Sequence, residues 1–387
     1  MPATSKRLQE FFDTYTRDLK PEDLQRLFTR DTREAYRFFT RHLDPEELKG
    51  RTRVRRALAY ARAVFLAFTM KLSPARRIVY AASLAMALIG ILNLSTGFGI
   101  VRVMEFPMGW IGLPSLMFHK GTGSLLLAFV LMNLLVLLEV ADRLSLKNDL
   151  EIARDIQQAM LPSGQYTGVG FETVGFSRPA NTVGGDFYDI LPLDDGRLVI
   201  TVGDVAGKGS PAALLMALLL AMLRTLVDEK LEPAELVTRL NVQVSRHAPG
   251  SRFITLFYAV YEPASGVLTY VNAGHTQPLL IRNSGTVERL AEGGIALGMF
   301  GQSRYVTGST VIQPNELVAI YSDGITEAED PSGRPFDEAG LESTLKTNRS
   351  LDISEVGQSV VRAVEHYTAD TRLADDLTIL LLRRRAA

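Results

Sequence analysis

The 387-residue chain contains no cysteine. That excludes disulfides, zinc–thiolate sites and cysteine nucleophiles, and it suits a reducing compartment. Histidine is scarce, five in all, so a metal site built on several imidazoles is not expected. Positive and negative side chains nearly cancel, leaving a formal charge of −1. Bulk electrostatics therefore point to no polyanionic partner, and no nucleic acid is expected. What the chain has in quantity is apolar residues, 47% of the total, and they are concentrated locally.

Charge is distributed unevenly. From Lys49 to Arg77 there are nine Lys/Arg and no Asp or Glu. Val54, Leu58, Ala61, Phe65, Phe68 and Leu72 recur at helical spacing in this stretch. A basic helix of this kind suits either packing on its neighbours or contact with an anionic leaflet. Residues 78–101 then run 24 positions without a charge, and residues 121–138 run 18 more. As helices, both runs are long enough to cross about 30 Å of hydrocarbon. The single tryptophan, Trp110, lies between them, where an indole can anchor at an interface. Basic residues crowd before the first run, and Arg143 and Lys147 follow the second. The positive-inside rule then predicts a multi-pass inner-membrane protein with two spans and both termini in the cytoplasm. The organisation expected is a basic helical region over 1–77, a two-span hairpin over 78–138 in contact with the lipid bilayer, a linker helix over 139–164 and a cytoplasmic catalytic domain over 165–387. The helix over 139–160 is a candidate homodimer contact, since a helix leaving a span can transmit dimer state.

From about residue 170 the pattern shortens to that of strands. Runs at 196–202, 253–261, 267–271, 277–281, 317–321 and 377–382 are short and rich in β-branched or aromatic residues. Helical patterns fall at 211–230, 232–247 and 353–367. The first of these is apolar enough to pass for a third span. Arg224, and its place directly behind a strand and turn, assign it to a helix lying on a sheet.

Four acidic residues stand in turns that adjoin these strands. Asp186 ends Gly184-Gly185-Asp186, Asp204 opens Asp204-Val205-Ala206-Gly207-Lys208-Gly209, Asp323 lies in Ser322-Asp323-Gly324, and Asp375 precedes Asp376 and the last strand. Asp186 and Asp204 are separated by about one hairpin, so the two carboxylates can meet in space. Carboxylates held that close repel unless a cation sits between them. Oxygen donors without His or Cys select hard cations such as Mg2+ or Mn2+. Two such ions can activate water and clamp a phosphate. Gly203–Gly209 does not have the glycine spacing of a phosphate-binding P-loop, and Gly209 stands where Ser or Thr would bind Mg2+.

Taken in order, the segments GGDFYD (184–189), GDVAGKG (203–209), NAGHTQPLL (272–280), YSDGITEA (321–328) and DDLTIL (375–380) resemble the metal-dependent PPM/PP2C-type protein phosphatases. The likeness is to the bacterial sporulation-stage-II-E/RsbU-like subgroup, and ARDIQQAMLP (153–162) resembles that subgroup's lead-in helix. The resemblance implies an α+β fold, an αββα sandwich over about 165–384, here preceded by an all-α region with two transmembrane helices. It also implies two divalent cations, Mn2+ or Mg2+, and hydrolysis of phosphoserine or phosphothreonine on a protein by an activated water. Phosphorylated anti-anti-sigma (STAS) proteins are the substrates it suggests. Carried over position by position, Asp186 resembles one metal ligand, and Asp204 the bridging ligand with the Val205 carbonyl beside it. Asp323 and Asp375 resemble the remaining ligands, with Asp376 as the alternative to Asp375. Lys208 and Arg178 are candidate contacts for substrate phosphate. The eukaryotic branch has a His just after the bridging Asp. This chain has Val205-Ala206-Gly207-Lys208 instead, so a His general acid is not expected. His275 is expected to serve its turn structurally, and Asp189 to support its own. The competing reading is a membrane-anchored signalling scaffold with a catalytically weak phosphatase-like domain.

Overall fold

The computed structural model describes residues 74–95, 100–106, 109–114, 120–162, 164–248, 252–369 and 373–386, with scattered residues between 62 and 73. Most of the basic region expected over 1–77 lies outside the described residues. The chain divides into two compact units, 1–144 and 145–387.

The described part of the first unit opens with helix α1 (Pro74–Ser95). Strands β1 (Ile100–Phe106) and β2 (Gly109–Pro114) follow and pair antiparallel. Helix α2 (Lys120–Met160) then runs out of this unit into the second. The hairpin departs from the all-helical region expected here, and α1 ends six residues short of the uncharged run 78–101. Gly97 and Gly99 follow Ser95, and two glycines so close disfavour helix continuation. α1 and α2 pack against each other antiparallel. A Cβ on Gly90 would lie 2.6 Å from Leu125 Cγ, so the backbones approach closely there. At the other end Arg76 pairs with Asp142 at 2.7 Å and Glu139 at 3.3 Å. The outward faces are apolar and exposed, among them Ile78, Leu88, Ile91, Phe129 and Leu137. Between Ser124 and Met160 α2 contains neither Gly nor Pro, so the linker helix expected over 139–164 is continuous with the second apolar run.

Three described helices are long and apolar enough to cross a membrane: Pro74–Asn93, Gly121–Met160 and Ser210–Val227. The third differs in setting. Of its apolar window 39% is buried, against 11% for the other two, and Leu215, Leu219 and Leu223 pack into the core of the second unit.

That second unit contains two six-stranded sheets. In chain order its elements are β3 (Gln165–Gly168), β4 (Phe171–Arg178), β5 (Phe187–Pro192), β6 (Leu198–Val205), α3 (Ser210–Val227), α4 (Pro233–His247), β7 (Ile254–Glu262), β8 (Val267–Ala273), β9 (Leu279–Ile281), β10 (Val287–Arg289), β11 (Gly293–Gly294), β12 (Gly308–Val311), β13 (Leu317–Tyr321), α5 (Asp323–Thr326), α6 (Asp337–Asn348), α7 (Ile353–Tyr367) and β14 (Leu377–Arg384). One sheet has the order β10-β9-β13-β14-β4-β3, the other β11-β8-β7-β6-β5 with β12 beside β8. Alternation along each strand sorts the side chains into three layers. Leu198, Ile200 and Val202 of β6 meet Leu380 and Leu382 of β14 between the sheets. Val199 and Val205 face α3 and α4 on one outer side. Ile379 and Leu381 face α6 and α7 on the other. The result is the α+β, αββα sandwich expected.

Candidate metal-centred active site

The site is built at one end of the β5–β6 hairpin. Phe187 pairs with Gly203, which brings Asp186, just before β5, opposite Asp204 in β6. The glycines of this turn are required by contact. A Cβ on Gly185 would stand 2.8 Å from the Val205 carbonyl oxygen and 3.1 Å from Asp204 Oδ1. Those two oxygens therefore converge on one point beside the turn. A Cβ on Gly184 would lie 2.4 Å from Asp376 Oδ2. The second sheet approaches from its own strand ends. Asp323 opens α5 directly after β13, and Asp375-Asp376 leads into β14, which pairs with β13. Gly324 packs on that backbone, where a Cβ would come 2.0 Å from the Asp376 carbonyl oxygen.

Electrostatics follow from this convergence. Asp186 is buried, and its Oδ2 has no hydrogen-bond partner. Burial first, and the Asp204 charge second, hold the Asp186 carboxyl well above the usual carboxylate range. Burial and the charges of Asp323 and Asp375 push Asp204 up to about 6. Asp323 is raised by burial and by Asp375. Acids at strand ends from both sheets thus repel one another in a region with little solvent to screen them. Among the described residues no three acidic or imidazole groups stand close enough to hold an ion as they are. Asp375 is drawn aside. Its Oδ2 pairs with Lys208 Nζ at 2.9 Å, and the same ammonium donates to the Ala374 carbonyl at 2.7 Å.

Asp375 and Asp376 play different parts. Asp376 accepts from the backbone N–H of Ala180 and of Gly185, both at 2.7 Å, so its two oxygens are committed to pinning the Gly184–Asp186 turn. Asp375 keeps a half-exposed side chain, with Oδ2 paired to Lys208 and Oδ1 accepting from the Asp376 N–H at 3.0 Å. Of the two phosphate candidates, Lys208 faces Asp375, and Arg178 pairs with Glu365 of α7. His275 is buried. Its Nδ1 meets Thr255 Oγ1 at 2.9 Å, and burial lowers its pKa to about 4, so it is neutral near pH 7. Asp189 is paired with Arg224 at 2.7 Å, and the same guanidinium donates to the Met160 carbonyl.

One contact has no counterpart in the motif reading. The Gln157 side chain, on α2, donates to the Gly184 carbonyl at 2.8 Å and accepts from the Gly184 N–H at 3.1 Å. The segment ARDIQQAMLP marked this helix, but which of its residues reaches the site is a matter of tertiary placement.

Residues 194–385 match the family described as Stage II sporulation protein E (SpoIIE). Protein IcfG of Synechocystis sp. is 29% identical over 277 residues, covering 65% of this chain and 43% of that protein. Phosphoserine phosphatase RsbU of Bacillus subtilis is 28% identical over 244 residues, covering 62% of this chain and 71% of RsbU. The chain therefore spans less than half the length of the first of these relatives. Among solved structures, the SiaA-PP2C domain of Pseudomonas aeruginosa shares the fold, with a TM-score of 0.55 at 20% identity over 63% of this chain and 98% of that domain. By sequence, residues 194–385 are a SpoIIE-type domain, and the fold of the second unit is that of a PP2C domain.

Proposed function

We propose that the chain is a membrane-anchored protein phosphatase that removes phosphate from phosphoserine or phosphothreonine on a regulatory protein, with an anti-anti-sigma (STAS) protein as substrate. One observation carries this reading. Asp204 Oδ1 and the Val205 carbonyl oxygen converge on the space that Gly185 leaves open, beside a buried Asp186 oxygen that no protein group satisfies. A buried, unpartnered carboxylate among like charges is costly, and a divalent cation is the partner that this all-oxygen donor set fits. Asp186, Asp204 with the Val205 carbonyl, Asp323 and Asp375 would hold two such ions, Mn2+ or Mg2+, with Asp204 shared between them. Bound there, the ions would activate water and neutralise charge on the phosphoryl group.

The chain's own residues do the rest. Asp376 fixes the turn that carries Asp186, and Asp375 leaves Lys208 to complete the set. No side-chain nucleophile is invoked, so no covalent enzyme intermediate is expected. α1 and the first part of α2 form the two-span hairpin, with both termini and the phosphatase domain, 165–387, in the cytoplasm. The continuation of α2 over 139–160 serves as the homodimer contact.

Hydrolysis of p-nitrophenyl phosphate by the full chain in detergent, with Mn2+, tests the chemistry. Activity is expected in the parent and is lost in Asp204→Asn and Asp323→Asn, with Mn2+ binding measured by calorimetry weakened in step. Activity that survives both substitutions sinks the site. A parent that binds partners but hydrolyses neither this ester nor a phosphorylated STAS protein favours the scaffold instead.

A further inference from the structure

A phosphoryl group brings negative charge that metal ions alone need not hold in orientation, and cationic side chains commonly share the task. Two cations near the site are already committed, Lys208 to Asp375 and Arg178 to Glu365. Arg252 is not. Its guanidinium lies against the loop that follows Asp204, with Nη1 3.4 Å from the Ala206 carbonyl oxygen. Gly207, at φ +108°, leaves room for it, since a Cβ there would lie 2.7 Å from Nη1. Arg252 immediately precedes Phe253, whose carbonyl accepts from Ala206 N at 2.9 Å, and β7, whose first residue Ile254 pairs with Val205. Its backbone is therefore tied to the end of the strand that carries Asp204. Among the described residues Arg252 has no ion-pair partner, and a weak carbonyl contact uses one of its five donors. Ala206, two residues after Asp204, offers no side chain that could donate there.

We propose that Arg252 contacts the phosphoryl oxygens of the substrate, holding by hydrogen bonds the group that the acidic centre acts on. This rests on the phosphatase reading above and deepens it by naming a substrate-contacting residue. A guanidinium suits the task because its planar fork meets two phosphoryl oxygens in a fixed, bidentate geometry that an ammonium does not provide. Its position beside Ala206 lets it approach phosphate without displacing any of the acids.

The test compares the parent, Arg252→Lys, Arg252→Ala and Asp204→Asn as full chains in detergent with Mn2+. Two quantities are read: KM and kcat for p-nitrophenyl phosphate, and the inhibition constant for inorganic phosphate. For Arg252→Ala, both KM and the phosphate inhibition constant are expected to rise about tenfold to a hundredfold, the range for losing a charge-assisted hydrogen bond. Arg252→Lys should fall between. Calorimetric Mn2+ affinity and thermal midpoint should stay at parental values, which separates phosphate contact from a structural role. An unchanged phosphate inhibition constant in Arg252→Ala overturns the proposal, as does weakened phosphate inhibition accompanied by equal loss of Mn2+ affinity. A parent that is inactive with Mn2+ overturns the phosphatase reading itself, an outcome distinct from either.

Discussion

Replacing Gln157 with leucine removes the one side chain that satisfies both backbone polar groups of Gly184. The carboxamide donates to Gly184 O at 2.8 Å and accepts from Gly184 N at 3.1 Å, and both bonds are buried. Leucine has similar volume but no polar atoms, so packing changes little. The Gly184 N–H and C=O are left without partners. Each orphaned buried group costs about 1–3 kcal/mol. Some relaxation toward water reduces the sum, leaving on the order of 3 kcal/mol for the pair. For a domain of this size that corresponds to a fall of about 6–12 °C in Tm. Thermal unfolding of the parent and the variant, followed by circular dichroism, reads the stability. Hydrogen exchange reads the Gly184 amide directly. Gln157→Glu separates the two bonds, because a carboxylate still accepts from Gly184 N–H but repels Gly184 O. It is expected to destabilise at least as much as leucine at neutral pH. The same turn carries Asp186, so Mn2+ affinity should fall with stability. A Tm within one degree of the parent, with unchanged exchange at Gly184, would refute the reasoning.

Three further outcomes are expected. Gly185→Ala places a methyl 2.8 Å from Val205 O and 3.1 Å from Asp204 Oδ1, and calorimetry should show Mn2+ affinity reduced at least about tenfold; unchanged affinity would remove Gly185 from the site. His275 has its pKa lowered by burial from 6.5 to about 4, so between those pH values the unfolded chain takes up a proton that the folded chain refuses. Its contribution to stability is whole above pH 6.5 and falls by up to about 3 kcal/mol as pH drops to 4. The raised acids act in the opposite sense, so the comparison is between parent and His275→Gln: from pH 7 to 4.5 the urea midpoint should fall less, or rise more, in the variant than in the parent. The chain has no cysteine, so single cysteines report topology cleanly. A membrane-impermeant maleimide applied to cells should label cysteine at Trp110 and not at Ser163, and the reverse pattern would invert the hairpin.

Periodicity carried the fold as far as local pattern can. β13 at Leu317–Tyr321 and α7 at Ile353–Tyr367 fall where the apolar pattern puts them, because the strand is a continuous apolar run buried on both faces and the helix buries one clean face. β4 was harder to see. It lies inside its sheet between β14 and β3, yet Gly175 in mid-strand reads as a breaker. The structure supplies the reason for that glycine: the Tyr188 ring of the facing sheet lies against it, and a Cβ would meet Cε2 at 2.1 Å. Helix α6 escaped notice because only Leu341 and Leu345 are buried, too few for a period to emerge. The hairpin of β1 and β2 was hidden by composition, since its apolar residues continue the run that forms α1.

The acidic centre was more legible than its supports, and the difference is physical. Functional acids sit in short motifs because a turn at a strand end must present a carboxylate and let the backbone come close, which ties Asp to Gly locally. Their supports are bound by no such neighbour rule. Asp376 reaches Ala180 and Gly185, almost two hundred residues earlier, and Gln157 reaches Gly184 from a helix outside the sandwich. Sequence adjacency made Asp375 and Asp376 look interchangeable. Geometry separates them, because a carboxylate that accepts from two distant backbone N–H groups at 2.7 Å has little left to give an ion, while its half-exposed neighbour is held by an exposed lysine and the adjacent Asp376 N–H. An exposed ion pair of that kind is worth about 0–1 kcal/mol, so Asp375 can exchange Lys208 for a cation at small cost. Removing Asp376 should instead leave the buried Gly185 N–H without its partner, take one from Ala180, and disorder the turn that carries Asp186. The two substitutions therefore ought to fail differently: Asp375→Asn in ion binding with the fold retained, Asp376→Ala in both together.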